Sequence, residues 1–425
     1  MDYIDEKIHP INGITVHTVK TDQFKTLTLV LQMRAPLKRD TVTKRALLAY
    51  VLKSATAKSP STKALQNRLD DLYGTTLSSQ VQKRGNDHLI SLFVHTANDR
   101  FLSGTSSLTE ESIRLLAETL FQPHATDGAF DEKTVNKEKR ALRKRIEATF
   151  DDKMLYANER LIDEMCKDEP YALHAYGYTE DIDSLTPKAL YDYFQQALKE
   201  DEIDLYIVGD IDRDHILSII ERVFPFQGRS RLVHDFLFEP VHVTAPKVVK
   251  ERQDVEQGKL NLGYRTNIVA NDPLFYAAQV FNGLFGGFPH SKLFMNVREK
   301  ASLAYYAASR YDSYKGIIIV MSGIECANYE KAVAIIKEQF QSLQDGAFTV
   351  TELDQTKALL KNAVLEALDN PFSLIEQLYR KVLIKDSGDL TAWLNGIEKV
   401  TPDEVKQVAG ITALDTIYFL QGQED

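Results

Sequence analysis

The sequence predicts an α+β fold built from two similar halves, each a mostly antiparallel sheet with helices on one face. Three observations predict it. The chain has 425 residues, too many for one ordinary core, and its 44% hydrophobic and 26% charged residues are those of a globular protein. A Thr-Pro pair opens a helix that feeds an apolar strand at two places, Thr186-Pro187 and Thr401-Pro402, with the threonines 215 positions apart. Other segments recur in the same order in both halves, and an ordered series points to duplication where a single match would not.

Taken in order, residues 26–33 are strand-like and answer to residues 259–264. The apolar helix expected over 45–53 answers to 274–284, and the polar, amphipathic helix over 131–150 answers to 350–369. The Thr186 helix leads into the apolar strand 205–210, and the Thr401 helix into 416–422. Each half therefore reads strands, helix, strands, long helices, strand. The periodicity breaks in a stretch containing Gly228 and a run of Arg, Ser and Val residues. This places a first domain at 1–228, a linker at 229–246 and a second domain at 247–425.

Charge and cysteine content narrow the function classes. Lys and Arg number 51 against 61 Asp and Glu, a net charge of −10, which lacks the basic footprint expected of nucleic-acid or anionic-membrane binding. Two cysteines, Cys166 and Cys326, are too few for a disulfide framework or a thiolate metal site, so a cytoplasmic setting is expected. The first seven residues lack a signal-peptide pattern, and apolar runs such as 317–321 are strand-sized, so no membrane association is expected.

Motif chemistry on its own names no catalytic machine. A zinc site needs two ligands close together on one element, and the nearest pairs among the ten histidines are His9/His17, His88/His95 and His234/His242. None has the spacing that puts two imidazoles on one helical face. There is no G-x-S-x-G elbow, and Gly283, Gly286 and Gly287 match neither a phosphate loop nor a dinucleotide fingerprint. Those glycines read as a turn after a helix, or as a loop whose backbone donors hold an extended peptide. Acidic pairs such as Asp70-Asp71 and Asp151-Asp152 read as solvated faces.

One stretch is more specific. Gly286-Gly287-Phe288-Pro289-His290-Ser291-Lys292-Leu293-Phe294, followed by Arg298-Glu299-Lys300 and Tyr305, resembles the C-domain signature of the pitrilysin/insulinase metallopeptidase family, of the mitochondrial-processing-peptidase-like kind. The resemblance covers essentially the whole chain and implies two homologous domains closing as a clam shell around a chamber. It implies that Arg298 and Tyr305, with the turn at Gly286 and Gly287, bind peptide substrate. Ser302 departs from the glycine usual at its place. From the residues alone, Arg298 also suits a helix cap or ion pair, and Tyr305 a strand aromatic.

The same resemblance locates the zinc motif H-x-x-E-H on the first long helix of the N-terminal domain. Ala46, Ala49 and Tyr50 stand where the first histidine, the general-base glutamate and the second histidine belong. On the later helix Glu138 is kept, but Arg145 stands at the third ligand's place, where a cation repels zinc. The expectation is a chain with no metal, no cofactor and no catalytic residue of its own. It would act as a zinc-free pseudo-peptidase subunit beside a homologous zinc-bearing partner, binding peptide, with a homodimer possible in isolation. The alternatives are a non-enzymatic scaffold of the same fold and an independent peptidase with a substitute site.

Overall fold

The computed structural model describes residues 4–102, 107–226, 229, 238–385 and 388–422. The expected linker, 229–246, lies in large part outside the described residues. Two compact units are present. The first holds Met1–Glu147, Leu173–Asp235 and Asp369–Leu378; the second holds Ala148–Ala172, Phe236–Leu368 and Tyr379–Asp425.

The first unit is built on strands β1 (Glu6–Ile11), β2 (Ile14–Lys20), β3 (Thr26–Pro36), β4 (Thr76–Arg84) and β5 (Asp87–Ala97). A short pair, β6 (Ala125–Thr126) and β7 (Ala129–Phe130), precedes β8 (Glu202–Gly209). The six-stranded sheet runs β1-β2-β8-β3-β5-β4, antiparallel except where β2 lies parallel to β8. The first half of the chain carries helices α1 (Val42–Leu52), α2 (Thr62–Asp71), α3 (Leu108–Phe121), α4 (Glu132–Asp151), α5 (Lys153–Met165), α6 (Thr179–Ile182), α7 (Pro187–Glu200) and α8 (Arg213–Val223).

In the second unit, β9 (Lys247–Arg252), β10 (Gly258–Arg265), β11 (Ala304–Asp312), β12 (Ile317–Ile324) and β13 (Ala413–Gln421) form a sheet ordered β11-β12-β10-β13-β9. The parallel pair is β9 with β13. Read from its other edge, this order is that of the first sheet without β1, with β9 for β2, β13 for β8 and β10 for β3. Helices α9 (Phe275–Asn282), α10 (Tyr329–Gln344), α11 (Val350–Ala367), α12 (Pro371–Ile384), α13 (Leu390–Lys399) and α14 (Pro402–Ile411) complete the second half.

The repeated Thr-Pro signal acts as an N-cap in both places. Thr186 Oγ1 accepts from the Ala189 amide at the start of α7, and Thr401 Oγ1 from that of Glu404 at the start of α14. Such a cap is worth about 1 kcal/mol. Alternation on β3 sends Leu27, Leu29, Leu31 and Met33 into the core with Ala46, Leu47 and Leu48 of α1. A fully buried leucine contributes about 1.5–3 kcal/mol. The opposite face of β3 is also covered: Thr28, Val30, Gln32 and Arg34 are all buried.

Both sheets thus have a second covered face, and the chain supplies those covers crosswise. α5, from the first half of the sequence, packs Leu161, Ile162 and Met165 with Ile317, Ile319, Tyr418 and Leu420 of the second unit. In the first unit Phe372, at the start of α12, sets its ring edge-on to Phe93 with centroids 5.8 Å apart. Glu376 accepts from Arg84 at 2.8 Å on the neighbouring edge strand. The inner strands close on matching arginines. Arg34 pairs with Asp87 at 3.1 Å and with Glu202; Arg265 pairs with Asp415 at 2.9 Å and Glu169 at 2.5 Å, and donates to the Met165 carbonyl at 2.7 Å.

A buried imidazole ties β1, β2 and β8 together. His17 Nδ1 lies 2.9 Å from Glu6, its Nε2 lies 3.3 Å from Asp204, and its ring stacks on Tyr206 at 4.1 Å. Burial opposes the charge, but the hydrogen bonds from Asp204 and Glu6 outweigh it, so the pKa stands above 6.5. The folded state therefore binds the proton more tightly than the unfolded chain. This stabilisation is fully present below pH 6.5 and is lost as pH rises through the higher folded value. The stability advantage of the native chain over His17→Gln is expected to shrink between pH 6 and pH 9 in urea titrations. A constant difference would show that the imidazole acts by packing alone.

Candidate functional site: a metal centre without its ligands

Helix α1 lies under the first sheet with Ala46, Ala49 and Tyr50 buried. Its neighbour in space is α4, and the contact joining them is Arg145 on Tyr50: the guanidinium carbon sits 3.8 Å from the ring centroid. A cation over an aromatic face at this separation is attractive, the more so when desolvated. Lys53, the residue that caps the C-terminus of α1, has its ammonium 5.7 Å from the same ring. Burial is the main cause that lowers its pKa, with Arg145 and Lys137 pushing the same way and Glu138 opposing.

Glu138 is almost fully buried, accepts from Ser54 Oγ at 2.9 Å and lies 3.3 Å from the Lys137 ammonium. The Tyr50 phenol is held well above its ordinary pKa by burial first, then by Tyr176, which is hydrogen-bonded to it. Tyr50 is thus a neutral phenol at any physiological pH.

Zinc needs several deprotonated nitrogen, sulfur or carboxylate donors around one point. Here two methyl groups, a neutral phenol and a guanidinium stand at the motif positions, with a single carboxylate beside them. The residues do not fit the metal. Among the described residues there is no group of three or more His, Cys, Asp or Glu side chains able to hold a metal ion. The fixed positive charge of Arg145 instead lies against Tyr50. Ala46, Ala49, Tyr50 and Arg145 were placed by sequence; Lys53 and Tyr176 around them were not, and only the His174-Ala-Tyr-Gly177 pattern hinted at the second.

The second cluster lies in the other unit. α9 ends in a π-helical turn, Gly283–Gly287, and a second such turn, Phe294–Lys300, precedes β11. Gly286 is buried, and a Cβ on it would stand 2.6 Å from the Ser309 amide nitrogen, so its missing side chain permits close approach to β11. Gly287 is exposed.

In the second turn Val297 is buried while Arg298 faces out, its guanidinium carbon 4.7 Å from the Phe294 ring and its Nε 3.7 Å from Glu299. Ser302 adopts φ +50°, the left-handed conformation that favours glycine. The chain then enters β11, where Tyr305 leaves 70% of its surface exposed. The structure keeps Arg298 and Tyr305 exposed on either side of Ser302; among the described residues no hydrogen bond joins them. The contact with Glu299 is an ion pair of the kind the residues alone also allowed for Arg298, while Tyr305, on β11, is left exposed.

Comparisons with known proteins agree with this picture. A family model described as the peptidase M16 inactive domain matches residues 184–360. The chain is 46% identical to the probable inactive metalloprotease YmfF of Bacillus subtilis (strain 168), over all of this chain and 99% of that protein. A conserved protein of Enterococcus faecalis V583 has a crystal structure that superposes with TM-score 0.91 and 32% identity, covering 99% of both chains. A protease from Helicobacter pylori shares the fold, with TM-score 0.80 at 16% identity over 98% of this chain and all of that one. No described helix is long and apolar enough to cross a membrane. The chain belongs to the M16 metallopeptidase family, that of pitrilysin and insulinase, as one of its non-catalytic members.

Proposed function

We propose that this chain is a cytoplasmic, zinc-free subunit that pairs with a zinc-bearing homologue, helps enclose a peptide chamber and holds substrate through Arg298 and Tyr305 for the partner to cleave. The observation that carries the reading is an asymmetry. At the former metal position an Arg145–Tyr50 contact and two alanines leave nothing to bind zinc, yet Arg298 and Tyr305 remain exposed. An exposed arginine suits a peptide carbonyl or carboxylate, and a tyrosine offers both an apolar face and a hydroxyl. Gly286 and Gly287 shape the turn before them. Within this reading the halves 1–228 and 247–425 are homologous repeats, supported by the shared strand order.

The chain is expected to co-purify in equal amount with a homologue carrying H-x-x-E-H, and the zinc to reside there. In the assembled complex, Arg298→Ala and Tyr305→Phe are expected to lower kcat/KM for peptide cleavage by about tenfold each, the scale of losing one charge-assisted or well-placed hydrogen bond. Thermal unfolding of the chain should not change. Full activity in both variants would sink the substrate-holding role and favour a scaffold; purification without any zinc-bearing homologue would sink the pairing.

A further inference from the structure

Where the resemblance puts the zinc motif, the structure gathers positive charge in place of ligands. Arg145 lies on the Tyr50 ring, Lys53 holds its ammonium 5.7 Å from the same ring, and Lys137 of α4 donates to Thr62 Oγ1, at the start of α2, at 2.8 Å. Ser54, next to Lys53, donates to Glu138, next to Lys137, at 2.9 Å, which brings the end of α1 against α4. Of the charged groups that act on the half-buried Lys53, Arg145 and Lys137 repel it and Glu138 attracts it. Among the described residues Lys53 makes no hydrogen bond and no ion pair.

α4 carries the charge onward. Arg140 and Lys144 follow Lys137 at spacings of three and four, so the three share one face of the helix, and all three are exposed. Arg140 and Lys144 have no hydrogen bond or ion pair among the described residues, whereas Lys139 and Arg143, on a neighbouring face, both donate to Asp183. The helix holds seven Lys and Arg against four Asp and Glu, a surplus of three positive charges in a chain whose net charge is −10. Like charges one turn apart destabilise a helix, and an anion lying on this face offsets that repulsion.

The spacing suits an extended peptide. Alternate side chains of such a chain stand about 7 Å apart on one side, close to the separation of about 6 Å between neighbours on a helix face. A nucleic-acid strand also brings anions, but single strands are held by aromatic side chains on which bases stack. The aromatic ring at this place, Tyr50, is buried and carries Arg145 on its face, and the net charge of the chain repels a long polyanion.

We propose that Lys53, Lys137, Arg140 and Lys144, with the fixed charge of Arg145 beside them, bind an extended peptide segment rich in Asp and Glu. Its carboxylates pair with the ammonium and guanidinium groups along α4 and at the end of α1. All five residues belong to the first unit, and the site does not depend on the role given above to Arg298 and Tyr305.

The test uses the full chain and a fluorescein-labelled peptide of alternating Glu and Thr, with binding followed by anisotropy. Peptides of alternating Gln and Thr or Lys and Thr, and an oligothymidylate of the same length, are run beside it. The Glu-Thr peptide is expected to bind, and to weaken as salt rises because exposed charges are screened. The Gln-Thr and Lys-Thr peptides are expected not to bind, and the oligothymidylate to bind more weakly. Arg140→Glu combined with Lys144→Glu, and separately Lys53→Met, should each weaken the Glu-Thr peptide about tenfold or more with the melting temperature unchanged or higher. Absence of Glu-Thr binding, equal binding of the Gln-Thr peptide, or an oligothymidylate held as tightly would each overturn the proposal. So would unchanged affinity in the double variant, whose exposed positions keep the proposal testable if Lys53→Met misfolds.

Discussion

Arg45→Met is expected to destabilise the first unit by about 3–5 kcal/mol, the scale for removing one partner of a buried ion pair. Among the described residues Arg45 is the largest fully buried side chain. It donates to Asp201 at 2.7 Å, to the Met33 carbonyl at 2.9 Å, to the His88 carbonyl at 3.2 Å and to the Tyr193 hydroxyl at 3.3 Å. It therefore pins α1 to β3, β5 and the turn into β8 at once. Burial pushes the neighbouring His88 ring down to about 3, with Arg45 adding to the effect, so that ring stays neutral and bonds the Ala175 carbonyl at 2.9 Å.

The loss has a pH signature. Burial already raises the Asp201 carboxyl, against the pull of Arg45. Without the arginine it rises further, the folded variant holds the proton more tightly than the unfolded one, and stability falls as pH increases. The deficit measured by urea unfolding should be larger at pH 7 than at pH 4.5. Adding Asp201→Leu should recover much of it, since an apolar pair in place of a buried ion pair is often neutral or better. A deficit below 1 kcal/mol at pH 7 would show that water reaches Asp201 and that the site is less dry than its burial indicates.

Gly177→Ala is expected to cost about 3 kcal/mol, combining roughly 1–2 for a left-handed residue with a side chain and roughly 1–3 for overpacking. Gly177 has φ +74°, and a Cβ there would lie 2.5 Å from the Thr43 Cα. That contact is with backbone, so it cannot swing aside. Thr43 is itself committed, donating to Asp181 at 2.6 Å and accepting from the Tyr178 amide at 3.1 Å. Arg39 grips the same Asp181 and is the main cause that holds its carboxyl below the usual range. The substitution presses on the first turn of α1, one turn before Ala46. A midpoint shift in urea equivalent to less than 1 kcal/mol would mean that the loop around Gly177 yields more readily than its contacts allow.

Local signals carried the parts of the fold that local chemistry decides. The Thr186 and Thr401 caps, the apolar α1 and the paired long helices were readable because capping and periodicity act within a few residues. α1 begins at Val42, earlier than the apolar pattern alone suggests, because Thr43 and Arg45 turn polar atoms inward to partners distant in sequence. The crosswise covers were not readable. Nothing in residues 369–378 or in α5 announces which sheet they bury against, since an amphipathic helix states how much of it is apolar and not where its complement lies.

Where the resemblance puts the zinc motif, the sequence supplied the residues and the structure supplied the meeting of Arg145 with Tyr50. Gln32 reads as an ordinary strand residue until its neighbours are known. Ser302 is the converse case: the departure from glycine was visible in the sequence, and the left-handed backbone it occupies is visible only in the structure.

The crosswise covers also set an order of events on the ribosome. The strands of the first sheet are complete at Gly209, but the segment that covers their second face ends at Leu378. At about 5–20 residues per second that interval lasts on the order of 10 s, during which Val30, Phe93 and their neighbours stand uncovered. For α5 the sequence is reversed: it emerges well before the strands it will cover. Both waits fall on the first half of the nascent chain: its sheet lacks the cover 369–378, and α5 lacks the strands it will cover, until the second half has been made.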